Sequence, residues 1–132
     1  MDKIIELEII GLSSSHAQSG SFALVLGEKE GNRRLPIIVG MFEAQSIAVE
    51  LEQIKPKRPL THDLFKTISE EFGLRIKQVL ITNLKEGVFY AQLEILSEDG
   101  KSVTVDARPS YAIALSLRFS APIYTIEAVL SE

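Results

Sequence analysis

Four short stretches hold the side chains whose types and spacing could do chemistry. The first is Asp106, Arg108 and Ser110, set around Pro109 in "VDARPSYAIAL". An arginine beside a helix N-terminus offers a bidentate fork next to aimed N–H donors, which suits a phosphate. The same residues also suit a plain helix start. Pro109 fits a first turn, Ser110 or Asp106 can accept backbone N–H bonds, and Asp106 can pair with Arg108. The second stretch is His62-Asp63 in "RPLTHDLF". It reads either as a general base or metal ligand with its orienting acid, or as an exposed histidine beside an acid that complements a helix dipole. The third is Glu43, again a dipole partner or a metal carboxylate. A hard divalent ion such as Mg²⁺ or Mn²⁺ takes oxygen ligands, and Glu43, Asp63 and Asp106 would supply them if the two halves of the fold bring them together. The fourth is His16 in "SSSHAQSG", which has no partner nearby in sequence. The chain has no GxGxxG, P-loop, HExxH, GxSxG or Cys/His zinc set.

The elements that must position these groups follow from periodicity. Alternation and β-branched content mark "IIELEII", with Ile5, Leu7 and Ile9 on one side, then "FALVL", "RLPIIVG", "IKQVLITNL", "FYAQLEIL" and "SVTVDA" as strands. "GEKEGN" and "SEDG" read as hairpin turns. A helix is expected from Glu43 to Ile54, with Ala44, Ile47, Ala48, Leu51 and Ile54 as its apolar stripe and Ser46, Glu50 and Gln53 on the wet side. The helix after Pro109 is apolar nearly all round, which predicts central burial or a subunit interface. Between them, "KPKRPLTHDLFKTISEEFG" predicts a bridging helix. Thr61 is its N-cap, Leu60 and Phe65 form a hydrophobic staple, Leu64, Phe65, Ile68 and Phe72 make its stripe, and Gly73 stands at C′. A last short strand is expected in "APIYTIEAVL".

The two halves resemble each other. Gly20 and Phe22 match Gly87 and Phe89, and Val39, Ile47, Ala48 and Leu51 match Val105, Ile113, Ala114 and Leu117. The expected fold is therefore α+β: two β-β-β-α units arising by internal duplication, joined by an extra helix, with helices packed on antiparallel sheet. Gly40 and Phe42 stand where the second half has Asp106 and Arg108. If helix entry needed an acid and an arginine, both halves would carry them. That asymmetry favours a role for Asp106 and Arg108 beyond capping.

Composition narrows the function classes. The 132 residues fit one domain over positions 1–132, with enough chain for a core and no cysteine to staple it. The acid at position 2 and the alternating start do not read as a signal peptide, and no apolar run is long enough for a membrane span. The expectation is a cytoplasmic protein. Net charge is −4, with basic residues clustered only at Arg33-Arg34 and at Lys55, Lys57 and Arg58. Nucleic-acid binding should then be weak, local or metal-assisted. The apolar helices predict a homo-oligomer.

The blocks "GMFEAQ", "RPLTHDL" and "DARPSYAIAL", in this order across nearly the whole chain, resemble the bifunctional nuclease domain family. The resemblance implies a nuclease that hydrolyses DNA, RNA or both. It implies His62 as base, Glu43, Asp63 and Asp106 on one divalent ion, and Arg58, Arg108 and Ser110 on the phosphate. The family usually has an acid where this chain has Tyr111, which bears on catalysis if that acid holds a metal or activates water. The alternative is a non-catalytic module that uses the same polar set to bind a small anion or a partner protein.

Overall fold

The computed structural model describes residues 3–14 and 21–131, so His16 and Gly20 lie outside the described residues. The chain runs β1 (Ile4–Ser14), β2 (Ser21–Glu28), β3 (Arg34–Gly40), α1 (Met41–Leu51), α2 (Thr61–Glu71), β4 (Leu74–Lys85), β5 (Val88–Ser97), β6 (Ser102–Ala107), α3 (Pro109–Phe119), β7 (Ile123–Ile126) and α4 (Glu127–Leu130). The strands form one sheet of seven in the order β3-β2-β1-β7-β4-β5-β6. Each half contributes three consecutive strands and then a helix. The fold is mixed α+β, as the sequence pattern predicts.

The sheet is not wholly antiparallel. β7 enters its middle, antiparallel to β1 and parallel to β4. The reason lies in α3, which carries the chain back across the sheet so that β7 can run alongside β4. Thr125, fully buried in β7, donates its hydroxyl to the Ile81 carbonyl at 2.9 Å and ties the two halves together. The edges behave as strand chemistry requires. Pro36 sits in edge strand β3, where a missing N–H costs no ladder bond, while Leu35, Ile37 and Val39 turn inward. The β5–β6 hairpin closes through Gly100 at φ +89, a left-handed position that suits glycine.

α1 and α3 pack against each other over the sheet, and Leu24, Leu26, Ile47, Val79, Ile81 and Ile113 are fully enclosed. α3 is buried centrally, as its all-round apolar character predicts. α1 differs from expectation. It starts two residues earlier and ends at Leu51, and the intended stripe residues Leu51 and Ile54 are exposed. Ser46, expected on the wet side, is buried. α2 differs more. Its N-cap is Leu60, not Thr61, and the Asp63 carboxylate accepts the Leu60 N–H at 2.9 Å. That shift takes Leu60 and Phe65 out of staple positions. Gly73 does close the helix, at φ +72.

The apolar stripe of α2 does not face the core. Leu64, Phe65, Ile68 and Phe72 are exposed, Phe72 by 78%. The helix is held instead through the neighbouring face that carries His62, Asp63 and buried Ser69. Polar contacts fix its position and leave the hydrophobic stripe bare.

Candidate functional site

A buried arginine organises the region. Arg118 stands in the last turn of α3, otherwise an apolar helix, and is 5% exposed. Its Nε donates to Asp63 Oδ1 at 2.8 Å, its Nη1 to the Ala114 carbonyl at 2.8 Å, and its Nη2 to the Ser46 carbonyl at 3.2 Å. One planar guanidinium therefore joins α1, α2 and α3, a geometry that a lysine could not reproduce. Asp63 uses its second oxygen on the Leu60 N–H. Burial pushes the Asp63 carboxyl up, but the Leu60 N–H and the Arg118 guanidinium outweigh it and hold the group below the usual carboxylate value.

This clamp presents His62. The His62 Nδ1 shares a hydrogen bond with Ser46 Oγ at 3.0 Å. Burial lowers its pKa first, and the nearby Arg118 charge lowers it further, while Asp63 and Glu43 pull it upward. The net shift is downward from 6.5, so the imidazole is neutral at pH 7. His62 lines a cleft of about 550 Å³ between α1, α2 and α3, together with Glu43, Ser46, Phe42, Phe65 and Tyr111. Among the described residues no lysine or arginine lines this cleft.

A second cleft, of about 360 Å³, lies where both edge strands run into helices. Residues 36–40 line it from β3, residues 87–89 from the β4–β5 turn and the first residues of β5, and Arg108 to Ser110 from the start of α3. Glu43 lines both clefts and so forms the wall between them. Tyr111 joins them as well. Its ring centre lies 5.6 Å from the Arg108 guanidinium carbon and 6.4 Å from the His62 ring, tilted by 50°. Gly40 explains part of this shape. A Cβ there would stand 2.9 Å from Glu43 Oε2, so any side chain at this position would displace the carboxylate. The first half therefore cannot carry the second half's Asp106 at the matching place without moving Glu43.

The "D-A-R-P-S" stretch is not a capping device. Pro109 opens α3 with Arg108 as N-cap, and no side chain caps the helix. Among the described residues Asp106 and Arg108 form no ion pair. Arg108 and Ser110 line the second cleft. Asp106 lies on exposed edge strand β6 opposite Gln92 and lines neither cleft. Arg58 is exposed in the connection before α2 and also lines neither.

The divalent-ion set does not assemble here. Among the described residues no three acidic or histidine side chains converge as a metal site. Glu43 is at the clefts, Asp106 stands on β6, and both Asp63 oxygens are engaged by N–H donors. The sequence pattern missed Arg118 and Ser46. The available signal was the charge itself: one arginine inside "AIALSLRF" needs a buried partner.

The site has a signed consequence. Replacing Glu43 by Gln removes a negative charge that raises the His62 pKa. In an NMR titration, His62 in the Glu43→Gln variant is expected to titrate at a lower pH than in the wild type, further below 6.5.

Comparison with known proteins places these residues in context. The bifunctional nuclease domain model matches residues 24–132, which include both clefts. An uncharacterized protein of Mycobacterium tuberculosis is 40% identical over 127 residues, covering 96% of this chain and 74% of the relative. Bifunctional nuclease 1 of Oryza sativa subsp. japonica is 28% identical over 104 residues, covering 76% of this chain and 31% of the relative. Bifunctional nuclease 2 of the same plant is also 28% identical over 104 residues, covering 76% of this chain and 32% of the relative.

Proposed function

This chain belongs to the bifunctional nuclease domain family, and on that premise we propose that the paired clefts hydrolyse phosphodiester bonds of DNA or RNA. The observation that carries the reading is a half-buried His62, held by Ser46 in one cleft, with Glu43 standing between it and the Arg108 cleft. In this reading Nδ1–H donates to Ser46 Oγ, which leaves the Nε2 lone pair free. His62 takes the proton of a water that attacks phosphorus. Glu43, close enough to raise the His62 pKa, stabilises the imidazolium that forms. Arg108 and Ser110 hold the phosphate in the second cleft, and the charge that develops on its oxygens falls to the Arg108 fork. The departing oxygen is protonated from solvent. Asp63 acts as a positioning residue through Arg118 and the N-cap of α2. Arg58 and its lysine neighbours steer the strand from outside the clefts.

Among the described residues no three acidic or histidine side chains converge, so no step is routed through a divalent ion. The test is cleavage of end-labelled single-stranded DNA and RNA with Mg²⁺, with Mn²⁺ and with chelator. Arg108→Ala is expected to raise KM or lower kcat so that kcat/KM falls about 10- to 100-fold, the loss that follows from removing a charge-assisted pair. Unchanged kcat/KM in that variant would remove Arg108 from the site.

One observation favours a second reading. Asp63 is fully engaged in holding the fold, which leaves the clefts with few reactive groups. Thermal stabilisation by a small anion, without turnover of any strand, would make the protein a non-catalytic binding module.

A further inference from the structure

The first cleft is chemically unlike a phosphate site. Phe42, Phe65 and Tyr111 line it, and Glu43 is its charged residue. The Glu43 carboxylate accepts no hydrogen bond from any described residue. A phosphate entering there would meet the Glu43 charge with no cation among the described lining residues, whereas in the second cleft Arg108 offsets the same carboxylate. The basic group is next door, where Arg108 lines the second cleft and lies over the Tyr111 ring. The two clefts therefore ask for a ligand with two ends. One end is flat, neutral and rich in N–H donors. The other is anionic.

We propose that the first cleft is a base-reading pocket: an unpaired base of a single strand stacks among its aromatic rings and donates to Glu43, while its phosphate lies at Arg108. The proposal rests on the nuclease reading for its ligand class. Aromatic rings hold unpaired bases by stacking with little regard to sequence. The carboxylate adds the choice. A carboxylate accepts hydrogen bonds and donates none, so it favours a base edge that presents amino groups. Guanine offers two adjacent donors, N1–H and the N2 amino group, which match the two carboxylate oxygens. Cytosine and adenine offer one amino group each. Uracil offers a single N–H flanked by two carbonyls that repel the carboxylate. The expected order is guanine first, then adenine and cytosine, and uracil last. Tyr111 is part of the device. Its ring lines this cleft, and the Arg108 guanidinium lies over it.

The experiment is equilibrium binding with chelator present, so that cleavage plays no part. The probes are the single strands UUGU and UUUU, guanosine 5′-monophosphate, uridine 5′-monophosphate and ribose 5-phosphate. UUGU is expected to bind at least about tenfold tighter than UUUU, and tighter than any mononucleotide. Glu43→Gln is expected to erase the difference between UUGU and UUUU, while ribose 5-phosphate, whose cleft Glu43 also lines, binds as tightly as before or tighter. Tyr111→Ala is expected to weaken both strands by about tenfold. Equal binding of UUGU and UUUU, or an unchanged preference in Glu43→Gln, overturns the base-reading pocket. Guanosine monophosphate binding as tightly as UUGU overturns the strand and makes a free nucleotide the occupant. Discrimination without cleavage in any assay sinks the hydrolytic reading alone. Cleavage without discrimination sinks this inference alone.

Discussion

Arg118→Ala is expected to cost about 3–5 kcal/mol of stability, the largest loss of any single substitution near the clefts. The substitution strips one guanidinium from three acceptors on three helices at once. The Ser46 and Ala114 carbonyls lose their donor in a buried place, Asp63 loses its cation, and a cavity remains. For a chain of 132 residues this corresponds to a melting temperature roughly 10–20 °C lower. Arg118→Lys should recover little of it, since a point charge cannot span the three partners. The pH dependence has a definite sign. The folded-state pKa of Asp63 is depressed below 3.8, so its contribution is present above the ordinary carboxylate value and is lost as pH falls through the folded value. Wild type should therefore lose stability in acid more steeply than Arg118→Ala. Urea titrations at neutral and acid pH measure both effects. A wild-type midpoint in Arg118→Ala would show that the clamp does not hold α2.

His62→Gln is expected to lower kcat for strand cleavage by about 10²–10⁴-fold with a small change in stability. Glutamine keeps a polar side chain beside Ser46 but cannot accept and release a proton near neutrality. The fold should survive, because His62 is only half-buried and makes one hydrogen bond. Burial and Arg118 depress its pKa, so folding opposes its protonation. The unfolded chain binds that proton more readily, so the native state loses stability as pH falls below 6.5. The substitution should flatten that part of the stability profile.

The strands were the most legible part of the chain. Alternation in β1 put Ile5, Leu7 and Ile9 on the inward side, because a period of two has one solution once a face is apolar. The parallel entry of β7 was not legible, because four residues carry no information about their neighbours. α2 shows the deeper limit. Its apolar stripe reads as a core-facing surface, yet Asp63 and His62 are what attach it. A polar clamp at 2.8 Å decides which face turns inward, and helical periodicity does not register it. The site was half legible. Glu43, His62, Arg108 and Ser110 do gather at the two clefts. Asp106 and Arg58 do not, since spacing along the chain says nothing about which cleft a strand end faces. Ser46 reads as a wet-side residue because small polar side chains look alike whether solvated or holding a histidine.

The most direct test is the pH–rate profile of strand cleavage, measured from about pH 5 to 8 under single turnover for wild type and His62→Gln purified in parallel. The account predicts an acid limb for wild type with its midpoint below 6.5, where the depressed His62 becomes protonated, and a slow, flat profile for the variant. Equal rates and the same acid limb in both proteins would contradict it, because the proton acceptor would then be some group other than His62.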